Sequence, residues 1–248
     1  MKIHPLHFGL IGRNISYSFS KAYFTAFFKE NSLPHTYQNF DIDTIETFPY
    51  ILKRHPNLKG LNVTIPYKET VCSFLDDLSY DAKEIGAVNT IKIQPSGALV
   101  GYNTDVYGFE RSLVEQGGTQ HKRALILGTG GASKAVAYVL KKRGVSIQFV
   151  SRKQQPNVLL YTQLSKAILR DHTLIVNCTP LGTYPNVDDC PDIPYEMLTA
   201  NHLLFDLVYN PPMSMFLQKG KSQGATVVNG QKMLEYQAQE AWRIWSEN

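Results

Sequence analysis

The sequence predicts an α/β protein built as two domains, and three observations carry the prediction. Arg123–Arg143, RALILGTGGASKAVAYVLKKR, joins a short apolar run to a glycine turn and then to a helical pattern. Strand and helix segments without such glycines alternate through residues 1–104, which suggests a separate α/β domain. The chain has 248 residues, 43% hydrophobic and 19% charged, enough to bury the cores of two modest domains. Residues 1–104 with 230–248 are expected to form one domain, and residues 105–229 a second with a parallel sheet.

Phe8–Ile11 reads as a buried strand closed by Gly12, followed by a loop with Ser16, Ser18 and Ser20. A helix is expected over residues 21–31, with Tyr23, Phe24, Phe27 and Phe28, then a strand over 37–42 and a helix over 45–54. Residues 58–65 read as a strand that Pro66 ends, because proline cannot continue a central ladder. A helical stretch is expected over 67–75. Residues 88–93 and 99–102 read as a hairpin about Pro95-Ser96-Gly97, the one antiparallel feature expected. Thr104-Asp105 can cap a helix running to Gln116, which Gly117-Gly118 ends and which is expected to bridge the domains.

Ala124–Leu127 is the kind of run that forms a strand buried on both faces of a parallel sheet. Gly128-Thr-Gly130-Gly131 breaks it, and a helix follows from Ser133. Lys141, Lys142 and Arg143 close its last turn, where the helix dipole favours cations, and Gly144 stops it. Ser146–Val150 is the next strand. A helix over 159–169, strands over 173–178 and 202–207, a loop over 179–191, a helix over 213–219 and a strand over 226–228 complete this domain. The last helix, 232–246, carries Leu234, Ala238, Ala241, Trp242 and Trp245 at helical spacing, a face suited to packing on the first domain.

The net charge of +4 is spread thinly, with no basic run longer than three residues, so nucleic-acid and membrane partners are not expected. An anionic small molecule would suit it. Cys72, Cys178 and Cys190 form neither a disulfide framework nor a zinc set, and fit a reducing cytoplasm; no metal site is expected. The N-terminal apolar run is too short for a signal peptide, and nothing later could span a bilayer.

The βαβ unit with a glycine-rich first turn is the arrangement that sets a pyrophosphate on the N–H groups of a helix N-terminus. Gly128, Gly130, Gly131, Ala132 and Ser133 are the expected nucleotide contacts, with Ser133 where Gly or Ala is usual. An NAD site carries Asp or Glu about 20 residues past the glycines. Ser151-Arg152-Lys153 stand there instead. Two cations attract a 2′-phosphate that a carboxylate would repel, and Arg152 can grip it in bidentate fashion. This predicts NADP as the cofactor; the alternative is a solvated basic turn.

The remaining polar segments sit at strand ends: Ser18-Phe-Ser20, Asn62-Val-Thr64-Ile-Pro66-Tyr-Lys68, Gly86-Ala-Val-Asn89-Thr90 and Gly101-Tyr-Asn103-Thr104-Asp105. Further on come Asn177-Cys-Thr179-Pro180, Asp206-Leu-Val-Tyr209-Asn-Pro211 and Gly230-Gln-Lys-Met233-Leu234-Glu-Tyr-Gln237. In this order the segments resemble the shikimate dehydrogenase family over nearly the whole chain. The resemblance implies a substrate domain and a Rossmann-like NADP domain, and reduction of 3-dehydroshikimate to shikimate. It implies that Ser18 and Ser20 hold the substrate carboxylate and that Thr64, Asn89 and Gln237 meet the ring hydroxyls. Thr179 and Tyr209 would lie near nicotinamide and substrate, with Lys68 and Asp105 as the acid–base pair.

Locally each residue has a plainer reading: a helix cap for Ser20, turn or cap residues for Thr64, Asn89 and Gln237, a solvated cation for Lys68 and first-turn stabilisation for Asp105. Lys68 near a helix start is mildly unfavourable, which argues for another reason for its presence. Lys21 and Phe24 stand where the family commonly has Pro and His, and Ser151 and Lys153 where Asn and Thr flank the arginine. A quinate/shikimate dehydrogenase with broader substrate and cofactor use is the nearer alternative. A non-catalytic dinucleotide sensor is the more distant one. A monomer or homodimer is expected.

Overall fold

The computed structural model describes residues 4–16 and 18–247. The chain divides into two compact units, Met1–Thr104 with Ala238–Asn248, and Asp105–Gln237. Among the described residues no helix is long and apolar enough to cross a membrane.

The first unit is a mixed sheet with helices. In chain order it has β1 (His7–Gly12), α1 (Phe19–Glu30), β2 (Thr36–Asp41), α2 (Phe48–Arg54), β3 (Leu58–Val63), β4 (Asp77–Leu78), α3 (Tyr80–Ile85), β5 (Thr90–Ile93) and β6 (Leu99–Tyr102). The strand order is β2-β1-β3-β5-β6-β4. β1 runs parallel to β2 and β3, and β4 to β6. Both faces are covered, so β1 is apolar on each side. Ile11 joins a cluster with Leu61, Val63, Val71 and Ile91, while Phe8 and Leu10 meet Phe24, Phe28 and Trp245. The Trp245 indole N–H is buried but satisfied, donating to Ile91 O at 3.0 Å.

Two expectations for this unit need correction, and one helix was not expected. The hairpin is present, but β5 is antiparallel to β3 as well as to β6, so antiparallel pairing is not confined to it. Residues 67–75 form no α-helix; only a 3₁₀ turn, Thr70–Phe74, appears there. Unpredicted is α3, which Ser79 caps by accepting from Ala82 N–H at 3.3 Å and which Gly86 ends with φ 69°.

The second unit is the parallel α/β half. It has α4 (Asp105–Glu115), β7 (Arg123–Leu127), α5 (Gly131–Lys142), β8 (Ser146–Ser151), β9 (Val158–Leu160), α6 (Lys166–Asp171), β10 (Leu174–Asn177), β11 (Leu203–Asp206), α7 (Met215–Ser222) and β12 (Thr226–Val228). A last helix, α8 (Gln231–Ser246), begins in this unit and ends in the first. The strand order is β12-β11-β10-β7-β8-β9, every pair parallel. Central β10 and the last four residues of β7 are wholly buried, as continuous apolar runs require. The helix expected over 159–169 is instead edge strand β9, a 3₁₀ turn at Tyr161–Gln163, and α6.

The chain leaves β7 towards β8 on one side and returns as β10 on the other. The carboxyl ends of β7 and β10 therefore flank the topological switch point, where ligands of open α/β sheets bind.

Candidate active site

In the first unit, backbone hydrogen bonds gather the polar loops at one end of the sheet. Arg13 N–H donates to Ile65 O at 3.2 Å, Val63 N–H to Asn89 O at 2.8 Å, and Val88 N–H to Lys68 O at 2.7 Å. The β1–α1 loop, the Thr64–Lys68 turn and Asn89 thus share the carboxyl ends of β1 and β3. Thr64 is half-buried just past β3, its N–H held by Ile11 O at 2.9 Å. Lys68 is half-buried in the turn that follows, before the 3₁₀ segment. No α-helix starts there, so the helix-dipole argument about Lys68 does not apply.

Ser18, not Ser20, caps α1: its Oγ accepts the Ser20 N–H at 3.2 Å. A hydroxyl that accepts keeps its own proton to donate. Ser20 lies in the first turn of α1 and is half-buried. Burial pushes the Tyr37 pKa well above its ordinary value, so the phenol stays a donor, to Asn62 Oδ1 at 2.7 Å. That fixes the Asn62 amide, whose Nδ2 reaches Thr90 Oγ1 at 3.1 Å. Asn89 Oδ1 accepts from Thr90 Oγ1 at 3.1 Å and from Thr104 N–H at 2.7 Å. Asn89 is therefore held in a buried lattice of neutral groups.

Asp105 opens α4 and is buried, its carboxylate at the positive end of the helix dipole. It lies in the second unit, Lys68 in the first. Gln237, also buried, donates from Nε2 to Leu234 O at 3.0 Å on its own helix. Tyr209 is half-buried in the loop after β11. Gly230 permits the close approach of the α8 start to that loop: a Cβ there would meet Leu207 O at 2.2 Å.

The glycine turn has the geometry its sequence implies. Gly128 adopts φ 100°, a conformation costly for other residues, while its N–H donates to Val150 O at 2.8 Å. Gly130 is the N-cap of α5 and no side chain caps that helix. A Cβ at Gly130 would meet nothing within 4 Å, so this side of the N-cap is open. Ser133 is buried where a small residue is usual, and its Oγ turns back to Gly130 O at 2.6 Å. Across the switch point Thr179 follows β10, tied to Asn177 Oδ1 through its N–H at 3.0 Å and its Oγ1 at 2.7 Å.

At the end of β8 the Ser151 hydroxyl accepts the Lys153 N–H at 3.1 Å, folding a turn that exposes Arg152 and Lys153. The charge of Arg152 acts on Tyr161, opposing the burial that pushes this phenol's pKa up to about 12. Two exposed cations and an uncapped helix fit a nucleotide with a 2′-phosphate and a pyrophosphate.

Several supporting residues were not singled out by sequence: Tyr37, Asn62 and Thr90 in the first unit, and Asn177, Asp206 and Ser214 in the second. Asn62, Thr90, Asn177 and Asp206 stand inside the quoted segments, yet spacing gives no sign of partners 25 to 29 residues away.

The shikimate dehydrogenase substrate binding domain family matches residues 10–91. The shikimate dehydrogenase (NADP(+)) of Clostridium botulinum is 38% identical, over 97% of this chain and 96% of that protein. A shikimate dehydrogenase solved in complex with NADP+ superposes with a TM-score of 0.86 at 34% identity, covering 98% of this chain and 90% of that one. The Thermus thermophilus enzyme, solved with NADP(H) and shikimate, gives 0.85 at 32% identity, covering 97% and 93%. With its mixed and parallel sheets and its switch-point glycine turn, the chain belongs to the shikimate dehydrogenase family.

Proposed function

We propose that this chain catalyses the NADP-dependent reduction of 3-dehydroshikimate to shikimate, and the reverse oxidation. The observation that carries the reading is the gathering of Thr64, Lys68 and Asn89 at one sheet end of a chain 38% identical to an NADP-dependent shikimate dehydrogenase. Residues 1–104 with 230–248 bind substrate, and residues 105–229 bind NADP. NADPH, when bound, supplies a hydride to the ketone carbon. The protein's own part is to hold substrate and move one proton.

Ser18 and Ser20 donate to the carboxylate, while Thr64, Asn89 and Gln237 bind the ring hydroxyls through neutral donors and acceptors. A site built on such groups rejects analogues that leave them unpaired. As the ketone oxygen gains charge, the Lys68 ammonium stabilises it and gives up a proton. Asp105 orients Lys68 and accepts from the neighbouring hydroxyl, and Tyr209 borders the reacting ring. Gly128, Gly130, Gly131 and Ala132 receive the pyrophosphate, with Ser133 bracing their turn. Arg152 and Lys153 hold the 2′-phosphate on the turn that Ser151 shapes, and Thr179 contacts the nicotinamide end. The chain acts in the cytoplasm as a monomer or homodimer; its three free cysteines support a reducing compartment.

The test is a spectrophotometric assay with shikimate or quinate and with NADP or NAD. Reduction of NADP by shikimate, much faster than with quinate or NAD, is the expected result. Comparable rates with quinate would favour the broader enzyme, and no turnover with any pair would remove the catalytic reading. Arg152→Ala should raise KM for NADPH about thirtyfold, the effect of losing a charge-assisted contact of ~2 kcal/mol, and leave NADH use nearly unchanged. Equal losses with both cofactors would end the role given to Arg152.

A further inference from the structure

A polar chain in the second unit runs from α7 to the loop after β10. Ser214 caps α7, accepting the Leu217 N–H at 3.4 Å, and gives its hydroxyl proton to Asp206 Oδ2. Asp206, wholly buried at the end of β11, accepts at Oδ1 from Val208 N–H at 3.0 Å and from Asn177 Nδ2 at 2.9 Å. Asn177, equally buried, turns its Oδ1 to Thr179, accepting the N–H at 3.0 Å and the hydroxyl at 2.7 Å.

Each link has one polarity. A carboxylate only accepts, so the Asn177 amide must present its nitrogen to Asp206 and its oxygen to Thr179. The Thr179 proton is thereby committed inward. One lone pair of Thr179 Oγ1 takes the Leu181 N–H at 3.3 Å, so the hydroxyl can meet a ligand only as an acceptor. A threonine without this arrangement would turn its hydroxyl to suit either kind of partner.

We propose that Asp206 is a positioning residue for nucleotide binding. Acting through Asn177, it holds the Thr179 loop in place and makes the Thr179 hydroxyl a fixed acceptor for a donor group, such as the carboxamide N–H of a nicotinamide. The proposal rests on Thr179 being a cofactor contact. It concerns a residue that touches neither nucleotide nor substrate.

The experiment is a double-mutant cycle read by fluorescence titration of NADPH without substrate, beside the thermal midpoint of each cofactor-free variant. Asp206→Ala is expected to weaken NADPH binding about tenfold when Thr179 is present, and less than about twofold in a Thr179→Val background. The thermal midpoints separate positioning from a purely structural role: a structural role alone would lower affinity in step with stability in both backgrounds, whereas positioning lowers it only where Thr179 is present. Asp206→Asn can still offer an oxygen to Asn177 and Val208 and an N–H to Ser214, and should recover most of the affinity. Should Asp206→Ala not yield folded protein, Asn177→Ala carries the same cycle, since it leaves Asp206 its Ser214 and Val208 donors.

Equal losses of affinity in both backgrounds, or no loss on the Thr179 background, would overturn the relay. Unchanged binding by Thr179→Val itself would overturn both the relay and the contact role of Thr179. A weakened Thr179→Val enzyme beside an unaffected Asp206→Ala enzyme would overturn the relay alone.

Discussion

Lys68→Met should lower kcat by ~10²–10⁴, the usual range for a positioned acid, while changing KM for the substrate far less. Methionine keeps most of the stem and removes only the ammonium, so the half-buried turn between β3 and the 3₁₀ segment at Thr70–Phe74 has little reason to move. If Lys68 is the acid, its charge matters most when the ketone oxygen becomes an alkoxide, and an interaction made mainly in the transition state shows in kcat rather than in binding. Asp105→Asn retains shape and the start of α4 but removes the charge, and should impair turnover and binding together. If the two residues act as one unit, the double variant will be little worse than the worse single variant. Fully multiplicative losses would mean that they act separately. Near-normal kcat in Lys68→Met, measured where hydride transfer limits the rate, would show that Lys68 is not the acid.

The second domain was the more legible half, because its signals are local. An apolar run, a glycine break and a 3.6-residue pattern lie within twenty-one consecutive residues, Arg123–Arg143, and the structure has β7, the turn and α5 there. The first domain was harder where pairing is decided by tertiary contact. Nothing in residues 58–65 or 88–93 says that β3 and β5 run antiparallel; that follows from which strand the hairpin docks against. Tyr80–Ile85 was missed although Ser79 and Gly86 carry start and stop signals, because its six residues are too few for a periodic pattern. Residues 159–169 misled in the opposite way, since an edge strand followed by a short helix mimics one longer helix.

At the candidate site, the polar segments that gather at strand ends were legible. Their buried supports were not. Tyr37, Asn62, Thr90 and Asn89 are brought together by sheet register, as Asn177 and Asp206 are by the pairing of β10 with β11. Polar residues on central strands read locally as interruptions of an apolar run; only the neighbouring strand supplies their partner.

Asp206→Asn should stabilise the cofactor-free protein at pH 8 and cease to do so near pH 4. Burial pushes the Asp206 carboxyl up to about 6, against hydrogen bonds from Ser214, Val208 and Asn177 that pull the other way. Burial therefore outweighs three donors. A folded-state value above the unfolded one means that the native protein binds more protons between about pH 4 and pH 6. The protonated carboxyl adds stability that is complete below the unfolded value and lost as pH rises through the folded one. With a shift of about two units the loss is at most ~3 kcal/mol. An asparagine resembles the protonated form at every pH, so it should avoid most of that loss above pH 6.5. Because it also gives up the charge-assisted bonds, a gain of ~1–3 kcal/mol is expected, several degrees in thermal midpoint for a chain of this size. The nearby Cys178 and Tyr195, both raised by burial and by the Asp206 charge, stay neutral over this range and do not obscure the difference. Midpoints of the two proteins measured from pH 4 to 8 decide the matter. A gain independent of pH would mean that the titration of Asp206 is not its source, and a loss at pH 8 would mean that the three donors outweigh burial after all.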